Sequence, residues 1–150
     1  MNLKVPPVVI FFLGLGIIFG VYYLMPNLTY SFPYQTLISR IFLALGVLVV
    51  FSGIIAFRMK RTTADPLHPE KASFLVTTGI YQYTRNPMYL GMAFVLIGGI
   101  IRIGNPLSLI GVIFFIWYLD RFQVRPEEEA LKKHFGEEFE QYRENVRRWM

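Results

Sequence analysis

Leu75-Val-Thr-Thr-Gly-Ile-Tyr-Gln-Tyr-Thr-Arg-Asn-Pro-Met-Tyr-Leu-Gly91 marks the place where a polar, charged loop gives way to a long apolar segment. Thr77, Thr78, Tyr81, Tyr83, Arg85, Asn86 and Tyr89 fall within 13 positions of it, beside two glycines. Such a density of hydrogen-bonding groups at the mouth of an apolar run reads as a site at a membrane surface, with the remaining chain as its frame. Pro87 is well suited to the first position of a helix, because its missing N–H is one that a helix start leaves unpaired anyway.

Working outward, the apolar residues fall in long uninterrupted runs. The 150 residues are 54% hydrophobic and only 17% charged, which points to a single membrane domain rather than a large soluble core. Val5 to Met25 carries no charge over 21 residues, enough for one helical span at about 1.5 Å per residue. A signal peptide is the rival reading, but its apolar region would be shorter and no small-x-small cleavage site follows the run before Pro26. The segment 26–33 is an uncharged, breaker-rich turn. A second span runs from about 34 to 57, with Arg40 near its outer end, where a long side chain snorkels to the interface. Residues 58–86 form a long loop whose stiff centre is Asp65-Pro66-Leu67-His68-Pro69. Spans at about 87–102 and 106–120 follow, separated by Arg102 and the Asn105-Pro106 turn. They read as a tight helical hairpin in which Gly91, Gly98 and Gly99 let the two backbones approach.

From 121 onward the chain is charged and amphipathic. Pro126 before Glu127-Glu128-Glu129 reads as a helix start, with acids at the positive end of the dipole. Gly136 ends that helix, and 137–149 forms another with an apolar stripe of Phe135, Phe139, Tyr142, Val146 and Trp149 suited to the membrane surface. The expected fold is therefore an all-α polytopic membrane protein of about four transmembrane helices, with a loop at 58–86 and amphipathic helices at 121–150. Thirteen of the 15 Lys and Arg fall on the side shared by Lys4, that loop and the tail. The positive-inside rule makes this side cytosolic, with both termini and the polar stretch facing the cytosol.

Several chemistries are disfavoured. There is no cysteine, so no thiolate ligand or nucleophile. His68 and His134 stand far apart without ligand spacing, so no metal site is expected. No Gly-rich phosphate loop or Gly-x-Ser-x-Gly motif appears. The net charge of +5 lies on membrane-flanking segments and signals topology rather than nucleic acid. Two constellations remain: residues 75–91, and Arg125 with Glu127, Glu128 and Glu129. Each alone has a plain reading as interface anchors or a solvated helix cap. Together on one face they resemble a pocket for a polar, zwitterionic ligand beside lipid.

The order Leu75-Val-Thr-x-Gly-x-Tyr, Arg85-Asn-Pro-Met-Tyr-x-Gly91, Arg125-x-Glu-Glu-Glu and Phe135-Gly-Glu-Glu-Phe-x-x-Tyr142 resembles the integral-membrane methyltransferases. These are the isoprenylcysteine carboxyl methyltransferase and phospholipid N-methyltransferase group, and the resemblance covers about residues 57–148. It implies S-adenosylmethionine as cofactor in a cytosol-facing pocket. Cofactor contacts are implied at Leu75, Val76, Tyr81, Asn86, Pro87, Met88 and Tyr89, and at a glutamate of the acidic run, Glu128 or Glu129. Arg125 is implied at the substrate, with Arg85 and Asn86 as further candidates at the reacting groups. Asn86 stands where those enzymes often carry His, and Ser73 aligns with another cofactor-side His; an amide still offers both donor and acceptor. The implied acceptor is lipidic or apolar: a prenylcysteine-like carboxylate, a phospholipid amine or a small thiol. A nicotinamide-dependent reductase akin to the sterol reductases and a non-enzymatic lipid-binding protein are the competing readings.

Overall fold

In a computed structural model of the protein, residues 5–59 and 74–150 are described; the loop centre 65–69, His68 and Ser73 lie outside them. The described residues form helices and turns. They run in the order α1 (Pro7–Leu24), α2 (Gln35–Met59), α3 (Pro87–Ile103), α4 (Leu109–Leu119), α5 (Arg125–Phe135) and α6 (Glu137–Asn145). This is an all-α polytopic membrane protein. Helices α1 and α2 are long and apolar enough to cross a bilayer, as is the continuous helical run Pro106–Phe135, while α3 is a shorter apolar helix. Side chains such as Phe12, Leu48, Phe51, Ile113 and Trp117 stay exposed on the outer surface, where lipid takes the place of water.

The helices pair through glycine. An added Cβ at Gly46 would lie 2.6 Å from the Gly91 carbonyl oxygen, and one at Gly91 would lie 2.6 Å from that of Gly46. The α2–α3 contact is therefore backbone against backbone, the arrangement that small residues permit in lipid. Along the same seam the Ser39 hydroxyl donates to the Gly98 carbonyl at 2.8 Å. In the same way α1 meets α4 through Gly14 and Gly111. The glycines of α3 thus serve its contact with α2, not a hairpin with α4, and Gly99 faces open space. The reason is geometric: Gly91 and Gly98 are seven residues apart and share a face, whereas Gly99 is turned about 100° away. Ile10, Ile18, Leu96, Phe115, Leu119 and Val124 fill the core between α1, α3 and α4.

At the end of the bundle away from the loop, polar side chains hydrogen-bond backbone groups of the turns and of the neighbouring helices. Asn105 donates to the Met25 carbonyl at 2.9 Å and accepts from the Leu107 N–H at 3.1 Å. Ser108 donates to the Ile18 carbonyl at 3.1 Å, and Gln35 to that of Ile101 at 2.8 Å. In a bilayer such groups have no water to turn to, so protein partners are required.

At the opposite end the expected boundary at 120 is absent. The helix continues from α4 into α5 through a wide turn over Asp120–Val124, in which the Arg125 N–H donates to the Asp120 carbonyl five residues back. Pro126 is the cause. A proline inside a helix clashes with the carbonyl four residues earlier and lacks an N–H to offer it. Widening one turn relieves that clash without breaking the helix. Pro106–Phe135 holds 30 residues, roughly 45 Å at the α-helical rise against about 30 Å of hydrocarbon. The run is thus longer than a bilayer core requires, and its charged last third is a helical extension of the fourth span.

Helix α6 folds back beneath that extension. Phe139 and Val146 are buried and Trp149 packs against the bundle core. The Tyr142 hydroxyl donates to the Tyr81 carbonyl at 2.7 Å. These protein contacts, rather than a membrane surface, take up Phe139, Tyr142, Val146 and Trp149 of the expected stripe.

Candidate active site

The two polar constellations meet. The short turn Gly79–Gln82 carries Tyr81 inward against Val76 and Ala56, with Phe57 edge-on to its ring at 5.4 Å between centroids. Gly79 has φ 65°, the left-handed conformation that suits glycine. Thr84, Asn86 and Pro87 are buried just ahead of α3. Pro87 and Met88 lie over Gly53 of α2, and Tyr89 faces the core. Leu75 is half-buried at the start of the stretch.

Arg85 is the organising cation. Its Nε and Nη2 donate to Glu128 Oε1 at 3.1 and 2.8 Å. Its Nη1 donates to the carbonyls of Arg143, at 3.0 Å, and Val146. The two side chains are only 9% and 12% exposed, so this pair works in a poorly solvated setting, where a lost partner is costly. Glu128 is also gripped from the other side by Arg148, whose Nε and Nη2 reach Oε1 and Oε2 at 3.2 and 2.6 Å. Arg148 Nη1 continues to Asp120 Oδ1 at 2.9 Å, and Arg125 Nε reaches Asp120 Oδ2 at 2.9 Å. Five charged side chains thus form one chain: Arg85, Glu128, Arg148, Asp120 and Arg125. The Glu128 contacts hold the Arg148 guanidinium above its already high range.

Beside this network lies a second carboxyl. Glu127 Oε2 accepts from the Tyr89 hydroxyl at 3.1 Å. Burial pushes Glu127 up to about 7, against the lowering effect of that hydrogen bond, with the neighbouring Glu128 adding to the rise. Tyr81 and Tyr142 are likewise raised above the usual phenol range, first by burial. A carboxyl poised near neutrality against a buried tyrosine hydroxyl is the kind of perturbed group that clusters at functional sites.

The three glutamates therefore have three environments. Glu127 points inward to Tyr89, Glu128 is saturated by two arginines, and Glu129 is exposed at the edge of a cleft of about 270 Å³. Arg125, Glu128, Lys132, Phe139, Arg143 and Arg148 complete that cleft. Arg125, 51% exposed in its ion pair with Asp120, can turn toward a ligand. Arg85 and Asn86 are differently placed. Arg85 is fully engaged by protein acceptors, and the Asn86 amide donates to the Arg148 carbonyl at 3.0 Å. Both hold the site in shape.

Sequence reasoning placed Glu127 in the acidic constellation without giving it a role apart from Glu128 and Glu129, and it passed over Asp120 and Arg148. Its inward direction was within reach: Phe115, Leu119 and Gln123 are buried at four-residue steps, and Glu127 is next in that row once the helix is read as continuous. Arg148 gave no such signal, being distant in sequence from both of its partners.

A helical membrane bundle with a charged cleft at one end, beside buried tyrosines, is the class these observations define. The family profile for phospholipid methyltransferases matches residues 35–138. The chain belongs to that family. It is 32% identical over 131 residues to the protein-S-isoprenylcysteine O-methyltransferase of Saccharomyces cerevisiae, covering 83% of this chain and 54% of the yeast protein. A probable protein-S-isoprenylcysteine O-methyltransferase of Oryza sativa subsp. indica is 28% identical over 108 residues, covering 67% and 56%. An uncharacterized protein of Haemophilus influenzae is 40% identical over 63 residues, 42% of this chain and all of that one. The chain spans about half the length of the curated methyltransferases it matches. No solved structure matches it.

Proposed function

We propose that this protein transfers a methyl group from S-adenosylmethionine to a lipidic acceptor at the cytosolic face of its membrane. The observation that carries the reading is the convergence of residues 81–89 with 125–129 through buried charges and tyrosines. These are the two segments that the resemblance assigns to donor and acceptor.

The residues present fit such a donor. Its ammonium and ribose hydroxyls call for acceptors, and Glu129 stands exposed at the cleft. Its carboxylate calls for cations, and Lys132 and Arg143 line the same cleft. Its base calls for an apolar face, and Phe139 supplies one in the cleft. When bound, the donor supplies an electrophilic methyl on a positively charged sulfur, transferred by in-line displacement. What remains for the protein is to orient the partners and exclude water. Arg85, Asn86 and Glu128 keep the turn before α3 and the fourth-span extension in register, Tyr89 and Glu127 close the interior, and Arg125 meets an anionic acceptor.

The acceptor class follows from relatives that act on protein-S-isoprenylcysteine, from the phospholipid methyltransferase family, and from the lipid-facing walls of the bundle. A prenylcysteine carboxylate or a phospholipid amine is the expected substrate. The test is saturable binding of S-adenosylmethionine and S-adenosylhomocysteine to the detergent-purified protein, with NADPH as comparator and Glu129→Ala as control. A transfer assay then compares a prenylated cysteine derivative, phosphatidylethanolamine and a water-soluble amine. Binding weakened by Glu129→Ala and a preference for either lipidic acceptor support the reading. NADPH binding alone, or equal rates on the soluble amine, would overturn it.

A further inference from the structure

The segment after α6 is tied down twice, in opposite directions. Its carbonyls face the turn before α3: that of Arg147 accepts from the Arg85 N–H at 3.0 Å. The Arg148 carbonyl accepts from the Thr84 hydroxyl at 3.1 Å and the Asn86 amide at 3.0 Å. The Arg148 side chain reaches the other way, clasping both Glu128 oxygens and Asp120. One residue therefore holds the turn before α3 with its backbone and the fourth-span extension with its guanidinium. On either side of it, Val146 is buried and Trp149 packs against the bundle core.

These two bodies need such a tie. The extension leaves the span through the wide turn 120–124, where the regular helical ladder is interrupted. Arg85 alone secures only one oxygen of Glu128. A planar guanidinium can bridge two carboxylates at fixed angles, whereas the compact ammonium of lysine cannot keep both contacts.

We propose that Arg148 is a positioning residue of the methyl-donor site, latching residues 146–148 across the gap between Thr84–Asn86 and the Asp120–Glu128 helix face. The latch sets the spacing between the donor-side residues Asn86–Tyr89 and the acidic run. It rests on the donor reading above, and its test separates the two. Wild type, Arg148→Lys and Arg148→Gln are compared as full chains in detergent on a Trp117→Phe background. The sequence has two tryptophans, so Trp149 is then the sole indole and its emission reports docking of the segment. S-adenosylhomocysteine is the probe ligand. Both variants are expected to shift Trp149 emission to the red and to raise the probe Kd at least tenfold, while the thermal midpoint moves by only a few degrees. Retention of charge in Arg148→Lys guards against loss of fold as the cause. Wild-type emission in both variants overturns the latch, as does shifted emission with an unchanged Kd. Should wild type not bind the probe, the donor reading fails and the Trp149 shift alone decides whether the latch exists.

Discussion

Replacing Glu128 by glutamine tests whether the site is built around one buried carboxylate. Glu128 accepts four charge-assisted hydrogen bonds, two from Arg85 and two from Arg148, at 2.6 to 3.2 Å. Removing one partner of a buried ion pair costs about 3–5 kcal/mol, because the other charge is left desolvated without compensation. Glutamine keeps one acceptor oxygen, and a hydrogen bond to a charged donor restores about 1.5 kcal/mol or somewhat more. Its NH2 must then face a guanidinium that has only donors. The net expectation is a loss of about 2–3 kcal/mol, read as the shift in unfolding free energy during SDS titration in mixed micelles, followed by circular dichroism. Arg85→Gln alone and the double variant complete a cycle. The double variant should cost less than the sum of the singles by about 1–2 kcal/mol, the range of directly contacting pairs. A Glu128→Gln loss below about 0.5 kcal/mol, which is surface-like behaviour, or strict additivity in the cycle, would refute a buried, mutually dependent network.

Two further outcomes follow from single features of the structure. Glu127 is raised from the usual carboxylate range to about 7, so the folded protein holds its proton where the unfolded chain has lost it. That contribution is fully present below about pH 4.5 and is lost as pH rises through about 7. The thermal midpoint should therefore fall between pH 5 and pH 8 in wild type, and fall less in the permanently neutral Glu127→Gln; equal slopes would remove Glu127 from the pH response. At the α2–α3 seam, Gly91→Ala places a methyl 2.6 Å from a backbone oxygen and should destabilise by about 1–3 kcal/mol. Gly99→Ala meets nothing within 4 Å and should be neutral or stabilising by up to about 1 kcal/mol through helix propensity. The same SDS titration separates them.

Sequence and tertiary structure divide the explanation along a physical line. Hydrophobic run length, charge placement and turn residues are local, and they were enough to show an all-α polytopic membrane protein with a polar stretch ahead of α3. Motif order alone pointed to the methyltransferase resemblance that the family match supports. Helix partnership was not legible, because a glycine shows that a close approach is allowed but not with which helix; Gly91 meets α2 rather than α4. Pro126 was equally ambiguous, since a proline suits a helix start and also a continuous helix with one widened turn. That ambiguity hid the row from Phe115 to Glu127 and with it the inward direction of that glutamate. The apolar stripe of α6 was visible, but its partner was not: lipid and a protein surface bury the same side chains equally well. The charge chain from Arg85 to Arg125 needed the fold outright. Its members come from three separate stretches of chain, and only close packing excludes enough water to give their pairing weight.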